Sequence, residues 1–212
     1  MIPGSANPLL LKSAAAAGGL QIARSLRFNS SDSAYLSRTP AVAGNRRTFT
    51  FSTWVKRSKL SSGFQQLLCS YDGSTGSTYF SITFTPSDTI RVEDISVNYR
   101  ETTQVFRDAS AWYCIQLAVD TTQATAANRI KLYVNGSEVT TFATTNNPTQ
   151  NTDFGINDTY AHAIGRSGAQ SAYYQDGYLA NIHLIDGQAL TPSSFTETDA
   201  TTGQLIPKTY TG

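Results

Sequence analysis

The chain carries little charge of either sign. It has 16 basic and 15 acidic residues among 212, a net charge of +1. The two signs are interspersed, so no basic stripe is offered to nucleic acid or to an anionic membrane surface. Apolar runs are short as well. Leu9-Leu10-Leu11 is the only solid one near the amino terminus, and Lys12 ends it. Nothing approaches the ~20 apolar residues of a spanning helix, nor the basic start and ~7–15 apolar residues of a secretory leader. A soluble protein is expected, with no nucleic-acid and no membrane partner. Cysteine is scarce too. Cys69 and Cys114 are too few, in too long a chain, for a disulfide framework. Both lie among apolar neighbours (LLCSY and WYCIQ), which favours buried thiols, with one disulfide arithmetically open.

What the chain has is β-branched and aromatic residues in alternation, the composition of a half-buried pleated surface. Leu26 and Phe28, then Tyr35 and Leu36, flank the polar turn at residues 29–33. Thr48 to Lys56 has period two: Phe49, Phe51, Thr53 and Val55 share one face, and Thr50, Ser52, Trp54 and Lys56 the other. Strands are predicted at Leu67 to Tyr71, before the Asp72-Gly73-Ser74 turn, and at Tyr79 to Phe84. Another follows from Thr89 to Val92, after Pro86-Ser87-Asp88. Residues 93–110 are weakly patterned and predict a poorly matched strand and a longer loop. Trp112 to Val119 is the most apolar strand, suited to the middle of a sheet. Ile130, Leu132 and Val134 alternate into Asn135-Gly136, the strongest short-range hairpin signal, with a return strand expected at Glu138 to Phe142. Residues 143–160 read as a Thr/Asn-rich loop, and Ala161 to Gly165 and Gly177 to Asp186 as the last strands. Thr191 and Pro192 start a helical turn. Many short strands with frequent turns predict an all-β fold: a two-sheet antiparallel β-sandwich over residues 25–198, with an extended N-terminal arm at 1–24 and a C-terminal tail at 199–212.

Four segments in register resemble the laminin G-like and pentraxin branch of the concanavalin A-like jelly roll. SLRFNSSDSAYL is similar to its first strand pair and TFTFSTWVKR to its Trp-containing strand. WYCIQLAVD with NRIKLYVNGSEV resembles its hairpin, and HAIGR with YQDGYLANIHLIDGQALTPSSF its closing run. The stretches RSLRFNSSDSAYLSRTPAVAGNRRTFTFSTWVKR and DGYLANIHLIDGQALTPSSF, then DATTGQLIPKTYTG, look closest to the version found in tailed-phage virion proteins. The resemblance implies a structural protein on the virion surface: a capsid decoration or cement, or a short head or tail fibre. Partners implied are other virion proteins, reached through residues 1–24, and sister subunits, with a homotrimer favoured. The alternative is a receptor-binding, lectin-type tail fibre protein that recognises host glycans. Many relatives continue beyond the TYTG-like stretch, and an end at Gly212 favours a compact surface protein.

Hydrolysis of glycans on this fold needs paired carboxylates at a fixed separation. Related glucanases place them along one strand as E-x-D-x-x-E, a spacing not found here. Glu93 and Asp94 are adjacent and should face opposite sides of a strand. His162 and His183 fall in apolar alternating strands and read as core or hydrogen-bonded histidines. A non-enzyme is expected. A glycan surface would draw stacking rings from Trp54, Tyr99, Tyr173 and Tyr174, and polar partners from Arg166 and Gln175, with Asn157 and Asp158 nearby. Calcium is the one cofactor considered. Asp153, Asn157 and Asp158 offer oxygens on a loop, with Asp72 and Asp120 at strand ends, though Asx residues are also good turn formers.

Overall fold

The structure, a computed structural model, describes residues 22–73, 78–168 and 172–212. Apart from residues 22–24, the arm lies outside the described residues. Two antiparallel sheets stack face to face. The six-stranded sheet contains β1 (Leu26–Phe28), β13 (Gly177–Asp186), β3 (Thr48–Arg57), β8 (Tyr113–Asp120), β9 (Ile130–Val134) and β10 (Ser137–Glu138), in that order. The seven-stranded sheet runs β11 (Phe142–Thr145), β7 (Asn98–Thr102), β6 (Ile90–Asp94), β5 (Tyr79–Phe84), β4 (Gln65–Tyr71), β12 (Ala161–Ile164) and β2 (Leu36–Arg38).

Alternation explains the core. Phe49, Phe51 and Val55 of β3 meet Ile115, Leu117 and Val119 of β8, and Phe80, Ile82 and Phe84 of β5 face them from the other sheet, all wholly buried. Phe49 packs edge-on against Phe80 with centroids 5.6 Å apart, and Phe154 closes the cluster 4.9 Å from Phe80. Burying a ring of this size stabilises by roughly 1.5–3 kcal/mol. β8 lies between β3 and β9, inside its sheet as its apolar sequence requires.

Three local expectations are revised. The Asn135-Gly136 turn forms, with φ of 49° and 78°, but only Ser137 and Glu138 return along β9. The chain then crosses to the opposite sheet, where β11 pairs with β7, so residues 143–145 are strand rather than loop. Arg100 of β7 draws the crossing together: its guanidinium donates to the carbonyls of Asn146 and Ile130 and to the Asn147 side chain. Buried carbonyls and a buried cation satisfy one another, which neither could do alone.

The segments around the turn at residues 29–33 do not pair with each other: β1 joins β13 in one sheet and β2 joins β12 in the other. The turn carries the chain across the edge of the sandwich.

The third concerns residues 199–212, read from the sequence as a C-terminal tail, which contain a strand. β14 (Thr196–Thr198) pairs with β15 (Leu205–Pro207), and the Tyr210 ring stacks on Phe195 at 5.2 Å. This hairpin and the segment before it lie over the outer face of the six-stranded sheet. Thr50 donates to the Gln188 carbonyl and accepts from Leu190 N–H, and Gln116 donates to the Leu190 carbonyl. Thr50, Ser52 and Gln116, polar residues on an outward face, are buried as a result. The Pro192 turn forms after Thr191, whose side chain bonds Ser193 rather than capping the backbone.

Cys69 and Cys114 are both buried and sit in opposite sheets. Burial pushes the Cys114 thiol pKa up to about 12.

Candidate functional site

With one outer face covered by the C-terminal hairpin, the outer face of the seven-stranded sheet carries the sandwich's broad polar surface. Register defines its edge. Ala163 of β12 stands opposite Cys69 of β4 and Ser37 of β2, and Ala161 opposite Tyr71. His162 and Ile164 point inward with Leu68, so the two alanines face outward. Their small side chains leave a depression between longer neighbours. The resulting groove encloses about 330 Å³ and is lined by Tyr71, Tyr160, Thr159, Ser37, Asp72 and Arg166, among others.

Arg166 enters the groove because of its neighbour. Gly165 has a φ of 88°, and a Cβ there would lie 2.5 Å from the Phe28 ring, so glycine alone lets the chain turn at this point. The turn sets the Arg166 guanidinium 3.7 Å from the centroid of the Tyr35 ring, itself 42% exposed. Attraction between cation and ring contributes about 0.5–1 kcal/mol at such an exposed site.

A second cluster lies further along this face. Tyr173, also at positive φ and exposed, packs 5.3 Å from Phe64, and its carbonyl accepts from Gln66 N–H. Arg91 covers the Phe64 ring at 5.3 Å and sits between Glu93 at 3.5 Å and Glu101 at 2.9 Å. Gln66 donates to the Tyr79 hydroxyl, whose pKa burial raises. Glu93 joins this outward array, whereas Asp94 turns away to accept from the Tyr99 hydroxyl and cap the following turn.

The residues expected to bind a glycan are therefore only partly together. Arg166 and Tyr173 lie along or beside this face, and Tyr174 is half-buried. Gln175 is wholly buried, donating through its backbone to Gly165 and through its amide to Asp176, so it presents nothing to solvent. Tyr99 is also corrected: its ring packs in the core 5.4 Å from Phe154 and is 5% exposed. Trp54 belongs to the other sheet. It lines a separate groove with Trp112, Ala180, Leu205 and Pro207, beside the C-terminal hairpin. Sequence reasoning missed Tyr35, Tyr71 and Tyr160. It recorded the first two as strand residues, although the alternation that places Cys69 outward places Tyr71 outward too.

The calcium residues do not converge. Asp153 is held by Arg47 at 2.8 Å and Asp158 by Arg46 at 2.9 Å, so two carboxylates are already neutralised. The Asn157 amide donates to the Asn45 carbonyl and to Asp186, and Asp120 caps its own turn through Thr122. The set does not fit a calcium ion. Among the described residues no group of three or more His, Cys, Asp or Glu side chains is placed to hold a metal.

His162 explains why the Asn157 loop stands where it does. Its Nε2 accepts from Asn157 N–H at 3.0 Å, and its Nδ1–H donates to the Tyr160 carbonyl at 2.8 Å. The ring is thus neutral. Burial lowers its pKa, opposed by the bond to Tyr160 and by the charge of Asp158, while Arg38 lowers it further. His183 packs against the stacked Phe195 and Tyr210 rings, at 5.2 Å and 6.0 Å. Both histidines are structural, as expected.

The family profile for the concanavalin A-like lectin/glucanases superfamily matches residues 28–194. No curated protein matches the sequence. Among solved structures, the chain is similar to Ruminococcus gnavus IT-sialidase CBM40 bound to α2,3 sialyllactose, at 16% identity. The match covers 74% of this chain and 95% of that one, with a TM-score of 0.52. It is also similar to NanB in complex with optactamide, at 18% identity and a TM-score of 0.55, over 82% of this chain and 28% of that one. At these identities the likeness is one of fold.

Proposed function

The chain belongs to the concanavalin A-like lectin/glucanase superfamily, and on that premise we propose that it is a glycan-binding protein displayed on the surface of a tailed-phage particle. The observation that carries the binding part is the groove on the seven-stranded sheet. Tyrosine rings at Tyr71 and Tyr160 supply apolar faces, and Ser37, Thr159 and Arg166, the last stacked on Tyr35, supply hydrogen-bonding groups beside them. Concave sites of this size, with a few polar groups among aromatic walls, suit small ligands. The solved CBM40 bound to sialyllactose supports the same reading.

Binding is favoured over catalysis because the groove holds a single carboxylate, Asp72, and the other acidic pair on this face is already committed. Glu93 and Glu101 both bond Arg91, and Glu101 also accepts from Thr89 and Asn98. An acid–base pair for glycoside cleavage would need carboxyls facing a substrate.

The phage setting rests on the sequence resemblance, which runs through both ends of the sandwich and into DATTGQLIPKTYTG. In this reading residues 1–24 tether a homotrimer to capsid or tail proteins, and the polar face points outward.

A glycan array probed with the full chain tests the first part. Binding that Tyr71→Ala weakens at least tenfold is expected, and no binding to any glycan at millimolar concentration would overturn it. Mass spectrometry of purified particles tests the second. Hundreds of copies per particle mean capsid decoration, about a dozen mean a fibre or tail component, and absence from particles refutes the setting.

A further inference from the structure

Arg166 differs from the other arginines of the candidate face in having no acidic partner. The ion pairs among the described residues engage Arg46, Arg47, Arg57, Arg91, Arg107 and Lys131, not Arg166. Its Nε is shielded from solvent and has no hydrogen-bond partner. Stacking at 3.7 Å over Tyr35 occupies the flat face of the guanidinium and fixes its plane. The terminal N–H donors lie in that plane, and no ion pair or hydrogen bond within the described residues takes up the fork that they offer a carboxylate. Its groove contains one carboxylate, Asp72, among hydroxyls, rings, alanines and glycines.

We propose that Arg166, positioned by Tyr35, is the recognition residue for an acidic sugar, one whose carboxylate it grips through paired hydrogen bonds while Tyr71 and Tyr160 pack on the ring. This specificity rests on the glycan-binding reading above and narrows it from glycans in general to those bearing a carboxylate. A carboxylate–guanidinium pair with two parallel N–H···O bonds has geometric specificity that a neutral hydroxyl lacks. Arg91 does not serve this role, because Glu93 and Glu101 neutralise it.

The test is calorimetric titration of the full chain with matched glycans: sialyllactose against lactose, and a glucuronate-terminated oligosaccharide against its glucose-terminated counterpart. At least one acidic member is expected to bind ten or more times tighter than its neutral match. Arg166→Gln should remove that preference with an unchanged melting temperature, and Arg166→Lys should restore only part of it. Tyr35→Phe should keep the preference and Tyr35→Ala should weaken it. Equal affinity within both pairs, unmoved by Arg166→Gln, would overturn the acidic-sugar assignment and leave glycan binding standing. No binding by any member of a wide glycan panel would overturn both.

Discussion

Arg57 and Asp88 form an ion pair at 3.0 Å in which both side chains are shielded completely from water. The bonds that the pair makes beyond itself lead to loops, while the buried Arg57 Nε has no partner. Arg57 reaches the carbonyls of Phe106 and Lys59 and lies over the Phe84 ring, and Asp88 accepts from Ser61 and Arg107. The pair ties one end of the sandwich together.

Asp88→Ala should therefore cost about 3–5 kcal/mol, because it strands a buried cation. Burial would raise the Asp88 pKa, but the bonds from Ser61, Arg107 and Arg57 outweigh it and hold the carboxyl below its ordinary value. Asp88→Asn combined with Arg57→Met should be milder than Asp88→Ala. Urea denaturation of the three proteins measures this; a loss under about 1 kcal/mol for Asp88→Ala would show that water reaches the site.

Acid should destabilise the fold through its histidines. His162 and His183 both have lowered pKa values, chiefly from burial. Each therefore binds its proton more readily unfolded than folded. Stability is intact above the ordinary histidine pKa of 6.5 and falls below it, with a slope of at most ~1.4 kcal/mol per pH unit for each proton taken up. His162→Gln should flatten the profile of melting temperature against pH between 6.5 and 5. A variant as acid-sensitive as the parent would exclude His162 as a source.

Gly177→Ala should destabilise by about 3 kcal/mol or more. Gly177 has a φ of 136°, and a Cβ would sit 2.1 Å from the Lys56 carbonyl oxygen of the paired strand. Thermal unfolding decides the point, and a melting temperature within 2 °C of the parent would contradict it.

The Cys114 thiol is 2% exposed, and its pKa is about 12. At pH 8 an aromatic disulfide reagent should leave it unmodified for hours in the native protein and label it within minutes in denaturant. Rapid labelling of the native protein would mean that the C-terminal hairpin opens.

How much of this was legible follows from what each residue's pattern encodes. Phe49, Phe51 and Val55 announced their face because alternation is a local property of one strand. The Asn135-Gly136 turn announced its position for the same reason, yet where Phe142 would pair depended on Arg100, 42 residues earlier and in another strand. Tyr99 was read as exposed because an aromatic in a weak pattern looks the same in a core and on a rim. Only the hydroxyl bond to Asp94 and the contact with Phe154 distinguish them. The groove was illegible because it is made of absences. Ala161 and Ala163 matter for what they leave empty, between tyrosines brought in from residues 71 and 160. Asp153 and Asp158 looked like calcium ligands because sequence does not reveal that Arg46 and Arg47 lie beside them in space.

The outermost strands of both sheets are brief: three residues in β1 and β2, two in β10 and four in β11. Long, flat rims invite one sheet to continue into another, and stubby ones withhold the template. Copies of this sandwich at high concentration would stay separate units instead of fusing edge to edge into fibrils.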